Sequence, residues 1–243
     1  MNDIELYQIY HVARCGSTLL TSLLSSCAPT YSEPYWAHTL DDDKSTSPDI
    51  LAYKQSIVKF SSIATTREVK PKGPKVFLYR PLAQYLLKME ECGKEWLETR
   101  KHLYGTFFNQ IFCGSLQHLY PTNARQLHTI FWASCVLKMQ KIDNILWINS
   151  NEFFLNKQNI AEQVLSHFKI EESPDMRFST INVKSLRLNN NGRILPFEYY
   201  QTRDGVADNR GIIYTKNALE NTQIFETIKW AKLNIPLNPE LYY

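Results

Sequence analysis

Apolar positions in the first third of the chain fall in short runs rather than long stripes. Glu5–Val12 is rich in Tyr and Ile, and Ser56–Phe60 and Lys75–Tyr79 are similar runs of strand length. Thr30–Ser32 is a shorter extended piece, and Asn144–Ile148 is one more apolar run late in the chain. Between these segments the period lengthens to that of a helix. Leu19–Leu24 is an apolar helical stretch closed off by Pro29. Leu103, Phe107 and Ile111 lie four apart, and Leu127, Ile130, Phe131 and Leu137 form a second stripe. Gln158–Phe168 is amphipathic with Ile160, Val164, Leu165 and Phe168 on its inner face, and a last helix is expected from Ala218 to Leu233. Turns are marked by Pro71-Lys72-Gly73-Pro74, by Asn189–Gly192 and by Asp204-Gly205, while the acidic stretch Asp41–Asp49 reads as a solvated loop.

Strands alternating with helices imply right-handed crossovers and a central, mostly parallel β-sheet flanked by helices, a three-layer α/β fold. A chain of 243 residues suits one such domain, residues 1–243, better than two. In a sheet of this kind ligands bind at the carboxyl ends of the strands. The positions to inspect are therefore Arg14–Thr18, Glu33, Lys59–Ser61, Arg80 and Asn149–Glu152.

Charge and composition narrow the field. The 27 basic and 24 acidic residues leave a net charge of only +3, which does not suit a nucleic-acid binder relying on a strong basic field. The longest apolar run, Thr129–Leu137, falls well short of the roughly 18 residues that span a bilayer, and the opening Met-Asn-Asp-Ile-Glu has no signal-peptide character. Five cysteines, odd in number and never spaced C-x-x-C, point to a reducing, cytoplasmic setting. No H-E-x-x-H or other metal-ligand spacing is present, so no metal is expected.

The segment after the first strand carries the chemistry. A strand, a tight turn with Gly16 and then a helix gather backbone N–H groups around one point, where the helix dipole adds positive potential. Ser17 and Thr18 add hydroxyl donors, and Arg14 adds a fork-shaped cation. The plain structural alternative is that Gly16 closes a turn and Ser17 caps the helix. Aligned on the nucleotide-binding pattern G-x-x-x-x-G-K-[ST], the chain has His11 for the first glycine and Ser17 for the lysine, and the fourth strand ends in Arg80 rather than a magnesium-holding carboxylate. Cys15 cannot start a Cys-x₅-Arg phosphatase loop, because Thr21 stands at the arginine position.

The run Tyr10-His11-Val12-Ala13-Arg14-Cys15-Gly16-Ser17-Thr18-Leu19-Leu20, with Ser32-Glu33-Pro34 downstream, resembles the sulfotransferase family, especially its bacterial branch. The likeness covers roughly the first 90 residues and resumes at Asn144–Phe168. It implies a P-loop-type fold and a loop of the form [KR]-x-G-[ST]-T that holds the 5′-phosphosulfate of 3′-phosphoadenosine 5′-phosphosulfate (PAPS), the sulfuryl donor. Arg14, Cys15, Gly16, Ser17 and Thr18 fall on that loop. By the same resemblance Lys59 lies beside the transferring group, Glu33 is the base, and Arg80 binds the 3′-phosphate. Residues 1–92 and 144–170 would then carry the sheet and donor edge, with the helical 93–143 and the irregular 171–243 covering the acceptor side.

The chain departs from the family in three places. Cytosolic members have a histidine two residues after the lysine, where Ser61 stands here, so the base falls to Glu33, with His11 and His38 as weaker alternatives. A serine usually follows the arginine eight residues on, where Lys88 stands and would have to supply charge instead. Arg203-Asp204-Gly205, with Arg210 beyond, only partly matches the late R-K-G loop and reads first as a turn. The cluster Arg67, Lys70, Lys72 and Lys75 precedes its strand and belongs at the opposite end of the sheet. The expectation is sulfuryl transfer from PAPS to a hydroxyl or amine of an acceptor that the sequence leaves open. A non-catalytic nucleotide- or anion-binding protein on the same fold, and a divergent P-loop kinase, are the alternatives.

Overall fold

The structure is a computed structural model that describes residues 6–34, 55–66, 72–93, 98, 114–177 and 220–243. Five strands form one sheet: β1 (Tyr7–His11), β2 (Thr30–Ser32), β3 (Ile57–Lys59), β4 (Lys75–Tyr79) and β5 (Ile145–Asn149). Their order is β2-β3-β1-β4-β5, and every pairing is parallel. The α/β class and the parallel sheet expected from the pattern are both present.

Covered on both faces, the central strands lose the alternation of a half-exposed sheet. Gln8, Ile9, Tyr10 and His11 are all buried in β1. The polar members are satisfied locally: Tyr10 Oη donates to Gln8 Oε1 at 2.7 Å, and Gln8 Nε2 donates to the Lys72 carbonyl at 3.4 Å. Just before β4 the chain turns at Gly73, with φ 126°, where a Cβ would collide with the Leu6 carbonyl oxygen. Only glycine fits that approach.

Six α-helices are described: α1 (Ser17–Leu24), α2 (Leu82–Glu91), α3 (Ala124–Met139), α4 (Ser150–Leu155), α5 (Lys157–His167) and α6 (Thr222–Asn234). Helix α1 packs on β2, β3 and α5, while α2, α3 and α6 pack on one another. Asparagine side chains cap α3, α4 and α6 through Asn123, Asn149 and Asn221. The stripe on α3 understates its burial, since twelve of its sixteen positions are buried and it runs as a core helix. On α5 the inward set is as expected, with Ile160, Val164, Leu165 and the following Phe168 all buried. Helix α4 was not foreshadowed by any apolar period. The Leu103–Ile111 stripe, Arg67, Lys70, His38 and the segments 41–49, 189–192, 203–205 and 210 lie outside the described residues.

From β1 the chain moves toward β2, whereas from neighbouring β4 it moves toward β5. The crevice beyond the carboxyl ends of β1 and β4 is thus a topological switch point, where such sheets bind ligands. Lys75 opens β4 at the other end, its Nζ donating to the Gly73 carbonyl at 2.8 Å.

Candidate active site

The turn between β1 and α1 contains two residues in the left-handed region, Arg14 (φ 61°) and Gly16 (φ 92°). Left-handed residues in such a turn can swing backbone amides toward one side, as in an anion-binding nest. Gly16 is the N-cap of α1, and no side chain caps that end among the described residues. Ser17 therefore does not act as the cap, and the first-turn N–H groups are left for an external acceptor. A Cβ on Gly16 would sit 2.8 Å from Phe154 Cζ and 3.4 Å from Phe153 Cε1, so aromatic rings back the turn and require glycine there. Cys15 is buried, its thiol donating to the Val12 carbonyl at 2.9 Å. Arg14 is exposed at the rim.

Lys59 ends β3 with its side chain buried, 4% exposed. Its Nζ meets Glu33 Oε1 at 2.8 Å and donates to Thr18 Oγ1 at 3.0 Å. One ammonium thus joins the ends of β2 and β3 to the first turn of α1. Glu33 follows β2 with φ 52°, strained for a residue with a side chain, and its amide donates to the Lys59 carbonyl at 2.8 Å. That backbone turn brings the carboxylate back over the sheet edge.

His11 completes the cluster. Its Nδ1 donates to the Val12 carbonyl at 2.8 Å, which leaves Nε2 facing Glu33 Oε1 at 3.6 Å, longer than a hydrogen bond but within ion-pair range. Burial alone would lower the imidazole, but contacts with Cys15 and Glu33 outweigh it and push its pKa up to about 9. Burial would likewise raise the Glu33 carboxyl, but contact with His11 and the charge on Lys59 hold it well below the usual carboxylate range.

Arg80 closes β4 and is 4% exposed. Its guanidinium carbon lies 5.7 Å from the centroid of the Phe154 ring, and its carbonyl accepts from Trp132 Nε1 at 2.8 Å. Phe154 therefore touches both Gly16 and Arg80. The sequence pattern did not single this residue out, although it stands in the Asn-Glu-Phe-Phe stretch after β5. Ser61, in place of the family histidine, is structural: its Oγ accepts from the Ala64 amide at 3.2 Å. Lys88 lies on α2 in an ion pair with Glu91 at 2.6 Å.

This arrangement can be set beside known proteins. A scan against protein-family models finds no match, and a search of curated proteins finds none either. Solved structures do resemble it. The sulfotransferase domain of the Synechococcus PCC 7002 olefin synthase superposes with a TM-score of 0.55 at 11% identity, covering 98% of each chain. The chain has the sulfotransferase fold. A sulfotransferase domain from the curacin biosynthetic pathway (TM-score 0.48, 12% identity, covering 98% of this chain and 95% of that one) also aligns along most of its length. So does a sulfotransferase from Alicyclobacillus acidocaldarius (TM-score 0.46, 9% identity, all of both chains). The fold assignment rests on the first of these. In this sulfotransferase-fold chain, no helix among the described residues is long and apolar enough to cross a membrane. Nor could any group of three or more His, Cys, Asp or Glu among those residues hold a metal ion.

Proposed function

We propose that this chain transfers the sulfuryl group of PAPS to a hydroxyl or amine, leaving 3′-phosphoadenosine 5′-phosphate (PAP). The observation that carries the reading is Lys59, buried at the cradle's edge and bonded to both Thr18 and Glu33. A buried lysine needs an anionic partner, and a sulfonate or phosphate oxygen can replace the carboxylate it holds now. The residues fit the donor: uncapped amides at the start of α1, a glycine that admits no side chain, the Thr18 hydroxyl and the Arg14 cation at the rim.

PAPS supplies an activated sulfuryl group on a phosphate leaving group. The first-turn amides, Ser17, Thr18 and Arg14 hold its phosphosulfate end, and Arg80, by family resemblance, holds the 3′-phosphate. Lys88, paired with Glu91, would add positive charge there. As the acceptor oxygen or nitrogen bonds to sulfur, Glu33 takes the acceptor's proton. Lys59 stabilises the phosphate oxygen released when the original S–O bond breaks. Glu33 is a poor base while Lys59 and His11 both hold it; it becomes a better one once Lys59 turns toward the donor.

The test is PAP release from PAPS in the presence of a panel of phenols, alcohols and amines. Turnover that is lost in Lys59→Met and Glu33→Gln supports the reading. PAP binding without sulfated product, and with no effect of Glu33→Gln, would instead favour a non-catalytic nucleotide-binding protein. That second reading draws on Ser61 in place of histidine and on Lys88 held by Glu91.

A further inference from the structure

The Glu33 carboxylate has two cationic neighbours of different kinds. Lys59 divides its ammonium between Glu33 and Thr18, whereas His11 is held from several sides. The His11 amide donates to Thr65 Oγ1 at 3.2 Å, and that same hydroxyl donates to the His11 carbonyl at 3.0 Å. Its ring is pinned through Nδ1 to Val12, so Nε2 has one direction to point, toward Glu33 Oε1. Nε2 is buried and has no hydrogen-bond partner among the described residues. The titratable and charged groups facing the ring are the Cys15 thiol from the turn, Glu33 from the end of β2 and Lys59 from β3.

Resting on the reading of Glu33 as base, we propose that His11 is a positioning residue which keeps that carboxylate ionised and turned toward the cradle when Lys59 leaves it for the donor. Without His11, burial would raise the Glu33 carboxyl once the lysine moved, so that a larger share of it would carry a proton and be unable to accept one from the acceptor. His11 therefore separates two tasks that Lys59 cannot perform at once. It is the counter-ion of the base, while Lys59 becomes the counter-ion of the leaving group.

The experiment follows the Glu33 side-chain carbonyl by ¹³C NMR across pH in the full chain, without nucleotide and with PAP. His11→Asn keeps a polar group near Val12 but cannot reach Glu33; His11→Gln reaches Glu33 without charge. In His11→Asn the Glu33 midpoint should rise by about one to two pH units, the size an adjacent opposite charge commonly gives. It should rise less in His11→Gln, and the acid limb of any PAPS turnover should move the same way. An unchanged midpoint in a folded His11→Asn protein overturns the proposal. If neither variant folds, the wild-type imidazole is compared with that in Glu33→Gln: a fall from about 9 toward or below 6.5 supports the pairing, and no fall refutes it. Absence of any response to PAP would defeat the donor reading alone, since the nucleotide-free titration still decides whether His11 governs Glu33.

Discussion

Lys59 and Glu33 are joined twice, through the Glu33 amide to the Lys59 carbonyl at 2.8 Å and through the Lys59 ammonium to the Glu33 carboxylate at 2.8 Å. The first bond extends the β2–β3 ladder by one residue; the second closes a side-chain bridge above it. A strand edge that ends this way carries its own anion in the place where a ligand's anion would go. On the proposed reading, donor binding would exchange one negative partner of Lys59 for another, which costs less than burying an unpaired cation.

Removing the lysine tests that bridge. Lys59→Met should leave the Glu33–His11 pair without its ammonium and destabilise the fold by about 1–3 kcal/mol, below the full cost of breaking a buried pair because the Glu33 side chain is 29% exposed. Glu33→Gln still offers Lys59 an acceptor oxygen and should cost less. Urea unfolding of both singles and the double variant gives the coupling, expected at about 0.5–3 kcal/mol for residues in one network.

The same cluster makes stability depend on pH from both sides. His11 has a folded pKa raised to about 9, above its ordinary 6.5, so its contribution is fully present below pH 6.5 and is lost as pH rises through 9. Glu33 has a depressed folded pKa. Its contribution is fully present above the ordinary carboxylate range and is lost as pH falls from that range through the lowered folded pKa. Unfolding free energy measured from pH 6 to pH 10 should decline in the wild type and stay flatter in His11→Gln. Equal slopes in the two proteins would contradict the pairing.

Gly16 is the least replaceable residue of the turn. Gly16→Ala places a methyl group 2.8 Å from Phe154 Cζ on a backbone at φ 92°. The left-handed backbone alone should cost about 1–2 kcal/mol. Thermal unfolding should show a lower midpoint, recovered in part by Gly16→Ala with Phe154→Leu if ring contact contributes as the geometry indicates.

Trp132 supports Arg80 from the core. Trp132→Phe removes the indole donor from the Arg80 carbonyl and leaves space, at a cost of about 1–3 kcal/mol. If Arg80 grips the 3′-phosphate, PAP affinity should fall more than affinity for adenosine 5′-phosphate. Titration calorimetry with both nucleotides separates a local effect from a general one.

Much of this arrangement was legible in the residues. Thr30–Ser32 and Lys75–Tyr79 have the bounds that their apolar runs suggested, and Gly73 confirms the turn before β4. The sheet edge brings Lys59, at the end of β3, and Glu33, just after β2, to Thr18 on α1. What escaped the sequence has a physical reason. Left-handed Arg14 and Glu33 carry no mark, since nothing in an arginine or glutamate reveals a positive φ. Phe154 reaches Gly16 and Arg80 across the fold, a tertiary contact that no local spacing encodes. His11 reads as an ordinary strand-end histidine until Glu33 turns back to meet it. Helix α4 is only six residues long, too short to show a period.

On the proposed reading, the turn after β1, with Lys59 beneath it, is built for the phosphosulfate end of an adenosine carrier. PAP added at increasing concentration should raise the thermal midpoint by mass action, more than adenosine does, with the shift reduced in Arg14→Ala and abolished in Lys59→Met. A midpoint unmoved by saturating PAP, or moved equally in Lys59→Met, would contradict it.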